Sequence, residues 1–300
     1  MFNDLLVNIS VFLLAAIVIA IFGIRITKVA DRLADKTGLG EALVGALFLG
    51  AVTSLPGIIT SVSAAASDHP ELAISNALGG IAAQTAFLAI ADIVYTTANL
   101  EHAAASEANL SQGTLLITLL ALPLLAASAP AISLFGVHPM SIGLPVAYAL
   151  GLRLVSKARE SPMWSPRQTS ETYVDVDKQG ASSGSSLLSL VSCMALYAVV
   201  IGTAGYAIAR TGTAIAAQTG LSESFVGTLF TAVCTSLPEL VTSVVAVKQG
   251  ALALAVGGII GGNSFDVLFV ALADVAYRPG SIYHALTSSQ IFIIALIPIL

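Results

Sequence analysis

Residues 41–95 can be laid over residues 223–277 without a gap, at a constant offset of 182. About 40% of the aligned positions are identical, among them Val44/Val226, Gly45/Gly227, Phe48/Phe230, Gly79/Gly261, Phe87/Phe269, Asp92/Asp274 and Tyr95/Tyr277. A shared apolar bias does not produce matches at glycine, aspartate and tyrosine. The chain is therefore built from two copies of one unit, and its function is to be sought where the copies meet.

The solvent of that unit follows from composition. Hydrophobic residues make up 56% of the chain and charged residues 10%, where soluble domains carry about 25% charged. Apolar runs long enough to cross a bilayer, about 20 residues each, fall near 5–24, 41–66, 72–98, 113–128 and 131–154, then near 187–209, 222–247, 251–277 and 282–300. This predicts an all-α polytopic membrane protein in two five-helix repeats. The first occupies 1–155; a polar cytoplasmic linker with Pro162, Trp164, Pro166 and Gly184 occupies 156–186; the second occupies 187–300, with its last helix expected to be missing. The lipid bilayer is the expected partner, and the composition and net charge of −5 argue against nucleic acid. Oligomeric state is left open by the sequence. Cys193 and Cys234 lie in apolar runs without CxxC or Cys/His spacing and read as small buried hydrophobes.

The first apolar run lacks a basic start and is followed by Arg25, Lys28, Arg32 and Lys36, so it reads as a retained span and not as a signal peptide. With the N-terminus outside, those four residues and Arg153, Lys157, Arg159, Arg167, Lys178 and Lys248 face the cytoplasm, leaving Arg210 and Arg278 outside. Span two then runs outward and span seven inward. The copies are upside down relative to each other, which is the plan of secondary transporters, whose sites lie near the midplane where helices are broken.

Thr53, Ser54, Leu55 and Pro56 recur as Thr235, Ser236, Leu237 and Pro238, each set inside an apolar span. Proline removes a backbone donor and clashes with the preceding turn, freeing carbonyl oxygens that can hold a cation. Gly79–Gly80 and Gly261–Gly262 are expected to interrupt the following spans. Membrane prolines often only kink a helix, and Ser/Thr hydroxyls often only bond their own backbone; duplication of the whole motif favours function. Glu239 and Asp266 add carboxylates at membrane depth, where an acid marks an ion or proton pathway unless it is protonated and bonded to nearby backbone. Carboxylate, hydroxyl and carbonyl oxygens suit a hard cation such as calcium or sodium. Asp92, Asp274, Glu41 and Glu223 fall near helix ends and read as capping or solvated. His69, His102, His138 and His284 read as surface histidines.

The run Thr235 to Glu239, with Thr242 and Ser243 following, and the run Gly257 to Asp266 resemble the second α-repeat of sodium/calcium exchangers. The resemblance covers both repeats and the central loop. It implies an exchanger-like fold and a cation antiporter in a bacterial or archaeal-type plasma membrane, with access switched by sliding of the first and sixth helices. It implies no enzyme activity and no cofactor; the cargo is Na+, Ca2+ or H+. The implied metal ligands are Glu239, Asp266, Thr235, Ser236, Thr53 and Ser54, with Gln84 standing where the family has an asparagine. Two further departures are Gly57, where the family has a second glutamate, and Ile81, in place of another asparagine. The lost glutamate lowers the anionic charge offered to calcium and raises two alternatives: a monovalent cation/proton exchanger with weak or no calcium transport, and a member that no longer transports. A protease-like acid dyad is the enzymatic alternative, but no GxGD or HExxH motif accompanies it.

Overall fold

The computed structural model describes residues 2–37, 51–160, 164–167, 169, 186–248 and 252–299, and these are almost wholly helical. The principal helices are α1 (Phe2–Thr37), α2 (Leu55–Ala66), α3 (Pro70–Val94), α4 (Glu107–Ser128), α5 (Met140–Glu160), α6 (Leu187–Thr219), α7 (Leu237–Lys248), α8 (Leu252–Asp266), α9 (Leu268–Ala276) and α10 (Ser288–Leu296). Glu41 and the first part of span two lie outside the described residues, as does most of the polar linker. Among the described residues, five helical stretches are long and apolar enough to cross a membrane, and a bent pair of helices makes a sixth.

α1 and α6 run further than the apolar runs foretell, and both end on equivalent threonines, Thr37 and Thr219, at the same offset of 182. At 1.5 Å per residue α1 is about 54 Å long, well beyond the roughly 30 Å of a hydrocarbon core. Its outer part survives because the pattern turns amphipathic: Ile26, Ala30 and Leu33 stay buried while Arg25, Lys28 and Arg32 are exposed. Earlier along α1 the exposed face is apolar, with Leu6, Val7, Leu13, Leu14 and Ile17 outward, as contact with lipid requires. α1 and α6 pack along one another, and the remaining helices form a second body around a core from α2, α3, α4, α5 and α9.

Glycines set the approach between these bodies. A Cβ on Gly23 of α1 would stand 2.3 Å from Pro238 Cγ, and one on Gly205 of α6 would stand 2.9 Å from the Pro56 carbonyl oxygen. The two glycines and the two prolines are repeat mates. The same pairing recurs at the helix ends: Asp92 accepts from Leu100 N–H at 2.7 Å, and Asp274 accepts from Ile282 N–H at 2.8 Å. The capping reading of both aspartates is thus what the structure shows.

Two expectations are corrected. Span five does not begin at 131. Residues 131–139 form a loop containing a tight turn, closed by Leu134 and Val137 exchanging backbone bonds of 2.8 and 3.1 Å, with Phe135 and Gly136 at φ 55 and 80. The apolar residues there made loop and helix indistinguishable in composition, and the helix starts only after Pro139. The glycine pairs do not break their helices: α3 passes through Gly79–Gly80 and α8 through Gly261–Gly262. Glycine costs a helix only about 1 kcal/mol, too little where the freed backbone has no water to bond. Gly79 instead admits a neighbouring backbone, since its Cβ would lie 2.5 Å from Thr228 Cα. Span eight stays one helical stretch through the residue between α8 and α9, Val267, which keeps φ −57 and ψ −30 and whose N–H bonds Asn263 O at 3.3 Å.

Candidate ion-binding site

The two proline motifs give closely matched local geometry. Ser54 and Ser236 sit at φ −78, ψ −1 and φ −97, ψ 6, the sparsely populated bridge conformation that recurs at functional sites. Pro56 and Pro238 are the second residues of α2 and α7, where a missing N–H goes unmissed. The carbonyls of Ser54 and Ser236 accept the N–H groups of Ile58 and Leu240, so each helix restarts after its turn. In the second half the two segments meet at 49°. The lead-in to that turn contains a π-helix, Val226–Thr231, a form found often beside functional sites.

Both carboxylates come from the second half, and the first half holds them. Asp266, 2% exposed, accepts Ser54 Oγ at 2.7 Å on Oδ1 and Gln84 Nε2 at 2.6 Å on Oδ2. Glu239 lies in the first turn of α7, hydrogen-bonds the Thr53 side chain and feels the charge of Asp266. Asp266 bonds Ser54, the N-cap of α2, and Glu239 sits in the first turn of α7, so each carboxylate lies by a helix N-terminus, which favours negative charge. Ser236 Oγ and Asp266 Oδ2 converge over Gly80, 3.5 and 3.8 Å from where a Cβ would be. Thr235 is buried beside them, but its hydroxyl donates to Ala232 O at 3.1 Å on its own helix. Of the seven residues expected at the site, Thr53, Ser54, Gln84, Glu239 and Asp266 are linked by hydrogen bonds or charge, and Ser236 lies beside Asp266 over Gly80.

Among the described residues, three buried acceptors around these side chains have no hydrogen-bond partner: Glu239 Oε2, Gln84 Oε1 and Asn263 Oδ1. An orphaned buried oxygen is costly, and a bound cation is a partner that would satisfy such an oxygen. Asn263 was not among the expected ligands. It is 2% exposed, and its Nδ2 donates to Thr85 Oγ1 at 3.1 Å. Its signal in the sequence was its mate, Ile81, which marks a position where the copies differ in polarity.

The histidines are not uniformly at the surface. His138 is buried: its backbone N–H donates to Asp274 Oδ2 at 2.8 Å and its Nδ1 accepts Met140 N–H at 3.1 Å. Ser141 donates to the same Asp274 oxygen and meets Tyr283 Oη at 2.9 Å. Burial pushes His138 below the usual histidine range, with Asp274 opposing and His284 adding to the shift. His69 bonds Glu223 at 2.6 Å, joining the start of α3 to the start of span seven.

Two inverted copies of one helical unit, with broken spans that bring buried oxygens of both halves together, define a membrane protein of the secondary-transporter build. The chain belongs to the sodium/calcium exchanger protein family, whose model matches residues 7–155 and 188–299, and this makes it an exchanger-type cation antiporter by family. It is 26% identical over 263 residues to the inner membrane protein YrbG of Escherichia coli (strain K12), covering 86% of this chain and 76% of that protein. A shorter match, 40% identical over 68 residues, relates 23% of the chain to 21% of the putative antiporter CaxA of Alkalimonas amylolytica. Among solved structures the fold matches an H+/Ca2+ exchanger CAX with a TM-score of 0.67 at 13% identity, covering 97% of this chain and 73% of that one. It also matches the sodium/calcium exchanger from Methanococcus jannaschii, with a TM-score of 0.56 at 21% identity, over 98% and 88% of the two chains.

Proposed function

We propose that this protein is a secondary active antiporter that moves a cation across the membrane by alternating access at a site around Glu239 and Asp266. The observation that carries the reading is the pair of buried carboxylates, one gripped across the repeat interface by Ser54 and Gln84, the other with a free oxygen. Thr53, Ser236 and Thr235 complete the oxygen set on this reading. The donors are all oxygen or amide groups, which select hard ions. Residues 1–155 and 187–300 act as the two inverted membrane repeats, joined by a cytoplasmic linker at 156–186. The distribution of Lys and Arg supports an N-terminus outside.

A second reading, in which the exchanged ions are monovalent cations and protons and calcium is carried weakly, is favoured by the charge count. Position 57 supplies no carboxylate, and both oxygens of Asp266 already accept hydrogen bonds. Reconstituted protein, loaded with imposed sodium, proton, potassium and calcium gradients, tests both. Flux of at least one cation is expected, falling by about 100-fold or more in Glu239→Gln, because loss of a charged ligand in a water-poor site removes several kcal/mol of ion binding. Undiminished flux in that variant rejects the site. Absence of any flux in the wild type rejects transport.

A further inference from the structure

Three pairs of repeat mates at the candidate site leave the first half with less polarity or charge: Gly57 against Glu239, Ile81 against Asn263, Gln84 against Asp266. What occupies the space opposite Gly57 is visible. A Cβ on Gly57 would stand 2.6 Å from Phe269 Cε2, with Cζ and Cδ2 at 3.4 and 3.6 Å. Phe269 is 3% exposed and belongs to the main core. Its ring meets Phe265 edge-on at 6.2 Å, and Phe265 meets Tyr148 of α5 edge-on at 6.0 Å. The ring is thus the end of a packed aromatic row and not a loose side chain. The Gly57 backbone is fixed too, its carbonyl accepting Asn76 Nδ2 at 3.2 Å.

We propose that Phe269 is a specificity-determining residue: its ring fills the ground that a side chain at position 57 would need, leaving the cation site one-sided. Building on the reading of Glu239 and Asp266 as ion ligands, this leaves the site with two carboxylates, both from the second half, and none from position 57. A divalent ion there is held by fewer anionic ligands and from one side only, which weakens its binding relative to a monovalent ion or a proton. Position 57 alone does not set the charge of the site; positions 57 and 269 set it together.

Equilibrium binding of radioactive calcium to the purified, detergent-solubilised full chain tests this without depending on transport. Four proteins are compared: wild type, Gly57→Glu, Phe269→Ala and the double variant. Calcium binding at least tenfold tighter than wild type is expected for the double variant, with less than threefold gain in either single variant. If the double variant fails to elute as a single species, Gly57→Asp with Phe269→Leu replaces it, with at least threefold gain expected. The proposal is overturned if Gly57→Glu alone gains as much as the double variant, if the folded double variant gains nothing, or if wild type already binds calcium at micromolar concentration. Sodium and proton flux in the wild type and in Glu239→Gln separately tests the ligand reading. A silent wild type with a calcium-binding double variant would sink transport and leave the role of the ring standing.

Discussion

The first and second halves of this protein share several close-packing contacts and helix caps, and differ in the charge they bring to the proposed ion site. Gly23 meets Pro238 as Gly205 meets Pro56; Asp92 caps Leu100 as Asp274 caps Ile282; Ser54 and Ser236 share one backbone conformation. At positions 57, 81 and 84 the first copy lacks the groups that its mates Glu239, Asn263 and Asp266 supply. Close backbone approach and buried caps are unforgiving, since a methyl too many or a cap too few costs on the order of 1–3 kcal/mol. Charge at the centre answers to the cargo and not to the fold, so one copy can surrender it. In the first half, Ser54 and Gln84 hydrogen-bond the carboxylate supplied by the other copy.

The largest expected effect tests that division of labour. Asp266→Asn should reduce cation flux in proteoliposomes by about 100-fold, because it removes a charge. Gln84→Ala removes one hydrogen bond to that charge, worth about 1.5–3 kcal/mol, and should cost roughly tenfold or somewhat more. Equal losses would mean that Gln84 is a ligand in its own right and that the two halves share the binding after all.

A smaller effect tests the likeness. Gly23→Ala and Gly205→Ala each place a methyl group under 3.0 Å from the opposing proline residue. Each should lower the stability of the detergent-solubilised protein by about 1–3 kcal/mol, measured by denaturant unfolding, and by similar amounts. A neutral Gly23→Ala beside a damaging Gly205→Ala would show that the packing is not equivalent.

The sequence made the repeat and most of the candidate site readable, because broken helices carry proline and membrane-buried acids stand out against an apolar background. Ser54, Gln84 and Asp266 could be named together only through the repeat and the family resemblance, since 182 residues separate Gln84 from its partner. What stayed hidden has physical reasons. Gly261–Gly262 looks like a break and is not one, because glycine's small cost is outweighed where backbone groups must stay paired. The loop at 131–139 is as apolar as a span. Phe269 reads as one more core aromatic until its distance to Gly57 is known. Asn263 was part of the recognised motif, yet its unpartnered oxygen is a fact of three dimensions.

The smallest effect separates the two aspartate caps by pH. At the second cap His138 joins Asp274, with Ser141, Tyr283 and His284 around it. Its Nδ1 accepts Met140 N–H, so a proton on that nitrogen costs α5 a bond at its start. Burial holds His138 below its ordinary value of 6.5. Between that lowered value and about 6.5 the unfolded chain binds more protons than the folded one, so stability rises with pH across the window and is lost as pH falls through it. The thermal midpoint of the purified protein should drop by about 2 °C on acidification from about pH 7 to pH 5 through this group, and His138→Gln should flatten that slope. Asp92→Asn, at the first cap, should weaken the protein while leaving the slope intact. A slope unchanged by His138→Gln would place the acid sensitivity elsewhere and make the two caps equivalent in this respect as well.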